Sequence, residues 1–271
     1  MHDQLVVFDI ETVIDTNAAA RLLGLDSNDN PQALRKALED YHLEITGGNN
    51  AFPRQLFHQV VAISFLRAEI ERNGSTEVYH LQELRSGGTT ESSEEELIKG
   101  FFNWCDKYKP RFVSFNGRTF DLPVLRYRAM KYGVNAPWFY NMGDKWNNYL
   151  QRYSSDWHAD LLDMLSDYGA SARIRLNEVC ALLSLPGKLD TDGGDVQTLY
   201  NEGKIQEIRD YCETDVLNTW LLYLHLMKHR GNLDPVAFDM AIEQTTELLQ
   251  MEGKSKPHYQ EFWQAWQNKS R

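Results

Sequence analysis

Residues 5–10 form a short apolar run rich in β-branched side chains, which reads as a buried strand. Residues 60–67 and 77–81 read as paired strands, joined by a turn containing RNGS (72–75). Residues 15–57 interrupt that pattern. Within them, 17–25 and 31–43 show helical spacing and TGGNN (46–50) is a loop, so the segment reads as an insertion and a candidate flap. RSGGTTESS (85–93) reads as a flexible loop. Residues 93–108 are amphipathic: Leu97, Ile98, Phe101, Phe102 and Trp104 supply the apolar side, and Ser93 with Glu96 has capping-box spacing. Residues 111–115 are the next strand, and 121–132 a helix ended by Gly133. The segment 134–157, rich in Asn, Trp and Tyr, reads as a loop facing the active site. Helices follow at about 160–168, 176–184, 195–201, 204–229 and 235–251, with a short terminal one at 261–267. Strands come first and helices after. That order predicts an α/β fold with a mixed β-sheet and a helical C-terminal half.

Composition narrows the function classes. The chain has 271 residues, enough for one large domain or a domain with an appendage. Its 42% hydrophobic and 25% charged residues are ordinary for a globular protein. No apolar run approaches the roughly 18 residues that a membrane crossing needs. The opening MHDQLVVFDIET has no basic n-region and no cleavage site, so no secretory leader is expected. Cys105, Cys180 and Cys212 are odd in number and widely spaced, which suggests reduced thiols of a cytoplasmic protein, not a disulfide or zinc framework. A net charge of −11 argues against a general nucleic-acid coating protein, which would carry a basic face. It leaves a nuclease open, because bound cations offset an acidic site, and it favours a short or single-stranded substrate.

The candidate chemistry lies in three motifs: FDIET with Asp9 and Glu11, NGRTFD ending in Asp121, and YCETD with Tyr211 and Asp215. Asp9 and Glu11 are two apart on a strand, so both project from one face. Two acids there repel each other and are costly to bury, and a divalent cation between them removes the conflict. An all-oxygen donor set suits Mg²⁺ or Mn²⁺. Tyr211 and Asp215 are four apart on a helix and share a face. Each motif alone has a plainer reading: acids at a strand end reaching solvent, a helix N-cap at Asp121, a surface Tyr beside a solvated acid. Together, acids at strand ends and on one helix face can converge on a two-metal phosphodiesterase site.

This set resembles the DEDD superfamily of 3′–5′ exonucleases in its tyrosine (DEDDy) branch, and within it the proofreading domain of family B DNA polymerases. The likeness covers most of residues 1–225, including HADLLDML (158–165), and the chain looks like the stand-alone predicted exonucleases related to those domains. The resemblance implies an RNase H-like sheet flanked by helices in an exonuclease domain over 1–230, with insertion 15–57, and a helical extension packed on it over 231–271. It implies two ions, Mg²⁺ or Mn²⁺, held by Asp9, Glu11, Asp121 and Asp215. Asp9, Glu11 and Asp215 would hold the ion that activates the attacking water, and Asp9 would bridge to the second, near Asp121. Tyr211 would orient that water and contact the scissile phosphate. The implied substrates are single-stranded DNA or RNA 3′ ends, the products 5′-mononucleotides. RNA trimming, very short oligonucleotides, or an inactive nucleic-acid-binding module of the same fold are the alternatives.

Around this centre the residues keep two readings each. Thr12, which follows Glu11, is expected to meet the terminal 3′ nucleotide through its backbone. Asn116 bonds substrate or caps its loop, Phe120 stacks on a base or packs under the helix, and Lys188 points to the phosphate or to solvent. His158 lies far upstream of the third motif and reads as structural, paired with Asp160 or near the pocket rim. His58 carries no interpretable motif. Trp138, Phe139, Tyr140, Trp146, Tyr149, Tyr153 and Trp157 form a stacking platform or, for most of them, a satellite apolar cluster.

Overall fold

In a computed structural model, residues 2–188 and 196–269 are described. Five strands, β1 (Gln4–Ile14), β2 (His58–Asn73), β3 (Thr76–Ser86), β4 (Arg111–Ser114) and β5 (His158–Asp160), form one sheet in the order β3-β2-β1-β4-β5. β2 pairs antiparallel with β1 and β3, whereas β4 runs parallel to β1 and β5. Helices cover both faces, which is the expected RNase H-like α/β architecture.

Alternation along β1 explains how the sheet carries a site. Val6, Phe8 and Ile10 enter the core beneath α3 (Glu94–Tyr108) and α4 (Asp121–Lys131), with Ile98, Phe112 and Leu125. Leu5 and Val7 face the other way, under the long α9 (Ile205–His229), with Val216, Leu217 and Trp220. Asp9 and Glu11 continue the parity of Leu5 and Val7, so they leave the apolar core on the α9 side. Directly after Glu11 the pairing shifts: Glu11 opposes Ala62 but Thr12 opposes Val60, a bulge that re-aims the strand end.

The insertion folds as α1 (Thr16–Leu23) and α2 (Pro31–Ile45), close to the expected helices. Asp15 and Asn30 cap them through their side chains. A buried charge cluster fixes the segment's root. Arg128 of α4 bonds Asp15 at 2.8 Å and also Glu94, which accepts the Val60 N–H at 2.7 Å and the Tyr132 hydroxyl at 2.6 Å. The capping box at α3 forms between Ser93 and Glu96.

Several expectations differ from the structure. β5 was not legible: three residues are too few to show a period, and His and Asp do not look like core. The helix expected at 160–168 shrinks to α6 (Leu161–Leu165), because Asp160 caps it and Tyr168 turns left-handed. The loop 134–157 contains α5 (Pro137–Asn141). Beyond it lie α7 (Leu176–Leu182), α8 (Val196–Asn201) and α10 (Pro235–Glu252). The terminal helix α11 (Pro257–Lys269) is longer than expected, since its ends are polar and hide from an apolar pattern. Phe238, Leu249, Tyr259 and Phe262 of α10 and α11 share one core with Leu5, Val7 and Trp220. Among the described residues, no helix is long and apolar enough to cross a membrane.

Candidate active site

Three elements meet at the end of β1. The strand presents Asp9 and Glu11, and α9 crosses with Tyr211, Cys212 and Asp215 on its facing side. The loop after β4 delivers Asp121 as the first residue of α4, with Phe120 just before it and no side-chain cap. Asp121 Oδ1 accepts the Ile10 N–H at 3.2 Å, which ties the second motif to the first. Donor atoms of Asp9, Glu11 and Cys212 all lie within 4.8 Å of one another. The Cys212 thiol lies 3.5 Å from both the Asp9 carbonyl and its Oδ2.

The electrostatics follow from that crowding. Burial, then the charges of Asp121, Glu11 and Asp215, push the Asp9 carboxyl well above the usual carboxylate range. Burial, then Asp215 and Asp121, do the same to Glu11, against a smaller opposing pull from Lys188. Asp121 is pushed up to about 7, chiefly by burial, while the Ile10 N–H pulls the other way. The Tyr211 phenol is held up by burial and by Asp215, Glu11 and Asp9. Such a cluster is short of positive charge. Its carboxylates offer hard oxygen donors that fit Mg²⁺ or Mn²⁺, and the Cys212 thiol, raised by burial and by Asp9, stays a hydrogen-bond donor.

The second motif's loop is built for close approach. Asn116 takes a left-handed φ of 69°. A Cβ on Gly117 would lie 2.4 Å from Ser114 Oγ and 3.5 Å from Asp121 Oδ2, so only glycine fits. Asp160, the last residue of β5, accepts the N–H groups of Asn116 at 3.0 Å and Arg118 at 2.8 Å while also capping α6. Sequence reasoning missed Asp160 as the positioner of this loop. The available signal was an acid just before a helix in HADLLDML.

The remaining candidates separate by position. Lys188 Nζ lies 5.6 Å from the centre of the Tyr211 ring. Its backbone N–H is held by Asn177 at 2.7 Å, and that of Gly187 by Asn218 at 2.9 Å. The Thr12 hydroxyl bonds His58 Nδ1 at 2.9 Å, and His58 Nε2 donates to the Pro53 carbonyl at 3.1 Å. His58 is therefore a buried link between the insertion and the first motif. Phe120 is half-buried in the core beneath α4, and its ring meets His58 at 4.9 Å. Phe52, which the sequence did not single out, stands 57% exposed beside both rings. Gln55 Nε2 bonds the Thr119 carbonyl at 3.0 Å, so the insertion touches the second motif directly. His158 is buried and bonds Ser114 Oγ at 2.7 Å, not Asp160. In the aromatic-rich segment, Trp138, Phe139 and Tyr149 are core, whereas Tyr140, Trp146 and Tyr153 are exposed.

Residues 50–266 match a protein family described as predicted 3′–5′ exonucleases related to the exonuclease domain of PolB. Asp121, Tyr211 and Asp215 fall inside the match, while Asp9 and Glu11 precede it and join it through the sheet. No curated protein matches the chain.

Proposed function

The chain belongs to the family of predicted 3′–5′ exonucleases related to the exonuclease domain of PolB, and from that membership we propose a metal-dependent exonuclease that shortens single-stranded DNA or RNA from the 3′ end. Its products are 5′-mononucleotides. The observation that carries this reading is the approach of Asp9, Glu11, Asp121, Tyr211 and Asp215, from three distant segments, close enough that the acids raise one another's proton affinity.

In this reading Asp9, Glu11, Asp121 and Asp215 hold two divalent ions, Mg²⁺ or Mn²⁺. When bound, the ions acidify water and neutralise the attacking and leaving oxygens of an in-line displacement. The protein's own groups do the rest. The carboxylates are largely withdrawn from bulk water, which strengthens every charge interaction at the phosphate. Tyr211 keeps its phenolic proton, because burial and the acids hold it up. It therefore acts as a donor that orients the attacking water and the scissile phosphate. Lys188, above the Tyr211 ring, adds positive charge on the phosphate side. Thr12 and Asn116 contact the terminal nucleotide, and Phe120 with Phe52 forms an apolar wall for its base. Base–aromatic stacking tolerates any sequence, as an exonuclease requires.

The test uses single-stranded DNA and RNA of one sequence, labelled at the 5′ end, with Mn²⁺ and with EDTA. A ladder that shortens from the 3′ end with Mn²⁺ and vanishes in EDTA is expected. Cleavage that survives EDTA, or internal cuts, contradicts the proposal.

A further inference from the structure

Beside the second motif's loop lies a patch that the catalytic reading does not use. Arg118, Arg152 and Arg173 gather there in a chain of net charge −11. Asp163 is occupied by Arg152, at 2.6 and 2.9 Å, and Asp160 by backbone N–H groups. Among the described residues, Arg118 and Arg173 have no carboxylate at ion-pair distance. Arg118 reaches only carbonyls, at 3.4–3.5 Å, longer than a normal hydrogen bond, and Arg173 holds the Asn116 side-chain oxygen. Two tyrosines stand over this charge. Tyr153 is 69% exposed, and its ring meets Tyr168 at 4.6 Å. Tyr168 is presented by strained backbone: Asp167 and Tyr168 take φ of 48° and 57°, a region that non-glycine residues avoid.

We propose that Tyr153, Tyr168 and Arg173, backed by Arg118 and Arg152, form a track for the nucleotides upstream of the scissile bond. An exposed ring, a second ring 5.9 Å from the Arg152 guanidinium, and two neighbouring arginines without a carboxylate partner among the described residues are the chemistry of single-strand binding: bases stack and phosphates meet the charge. Position agrees with this role. Arg173 holds Asn116, whose neighbour Gly117 lies against Asp121, so the track starts where the catalytic loop ends. The patch also reconciles the acidic chain with a polyanionic substrate, by confining positive charge to one strip. The inference rests on the exonuclease reading of the site.

The test compares a dinucleotide with a dodecanucleotide, as DNA and as RNA, on wild type, Tyr153→Ala and Arg173→Ala. Tyr153 does not touch Asn116, so its substitution reports the track alone. The expected result is a KM for the long strand that rises about tenfold more than the KM for the dinucleotide. Arg173→Ala should also reduce the salt dependence of long-strand binding by about one phosphate contact. KM values that move together for both lengths, or not at all, overturn the track. If wild type cleaves neither substrate, the exonuclease reading fails separately. Fluorescence anisotropy of the labelled dodecanucleotide then decides the track: weaker binding by both variants supports it, and unchanged binding overturns it. The strand type that shows the length-dependent loss identifies the ligand as DNA or RNA.

Discussion

Asp9, Glu11, Asp121 and Asp215 crowd like charges together at a cost to the fold, a cost that the proposed cations would offset. Replacing Asp9 or Asp215 with Ala should abolish cleavage while the protein stays folded, and metal-free thermal stability should rise because a repulsion is removed. Turnover near wild type in Asp9→Ala would place the chemistry elsewhere. Tyr211→Phe should lower kcat by about ten- to a hundredfold without erasing it, since the loss is one positioned donor. The raised carboxyls also set a pH dependence. Asp9, Glu11 and Asp121 bind protons more tightly folded than unfolded, so the stability they allow is full below about pH 4 and fades as pH climbs through about 7 for Asp121. Thermal melts in EDTA should therefore fall across that interval, and Mn²⁺ should flatten the fall. Melts that are equally flat with and without Mn²⁺ would contradict the metal site. Asp9 with Glu11, and Tyr211 with Asp215, were legible as pairs because spacing places each pair on one face, whereas joining them with Asp121 rested on the family resemblance. Asp160 and His58 were not legible, because each acts through one hydrogen bond across the fold that leaves no local pattern.

At the scale of elements, β1 and α9 were readable and β5 was not. β1 has apolar residues on both faces and acids at one end, and α9 keeps its helical period over many turns. β5 has only three residues and gains its identity from pairing with β4. The insertion's helices were visible in their helical spacing, but its contact with the second motif is tertiary and was not. In the proposed function that contact sets the insertion beside the substrate. Phe52→Ala should raise KM for oligonucleotides about fivefold or more with little change in melting temperature. An unchanged KM would make Phe52 a bystander. Arg128 anchors the same segment. Arg128→Ala leaves the buried Asp15 and Glu94 with only the partly exposed Lys131 as countercharge, a loss of about 3 kcal/mol in urea denaturation. The depressed Asp15 carboxyl fits this: burial opposes ionisation, but bonds from Arg128, the Ala18 N–H and Lys131 bring it to about 2.

Across the whole molecule, the order of strands and helices revealed the α/β class, but the assembly of the site needed the topology. Three motifs about a hundred residues apart meet because β4 runs parallel beside β1 and α9 packs across the face of those strands. Charges and rings are arranged around the site: acids on β1, α4 and α9, arginines and tyrosines beside the second motif's loop, and Phe52 of the insertion beside Phe120. The most direct test of this arrangement is product analysis by mass spectrometry of a single-stranded oligonucleotide incubated with Mn²⁺ and either wild type or Asp9→Ala. The account predicts 5′-mononucleotides and a series shortened from the 3′ end with wild type alone. Products bearing a 3′-phosphate, or the same series from Asp9→Ala, would contradict it.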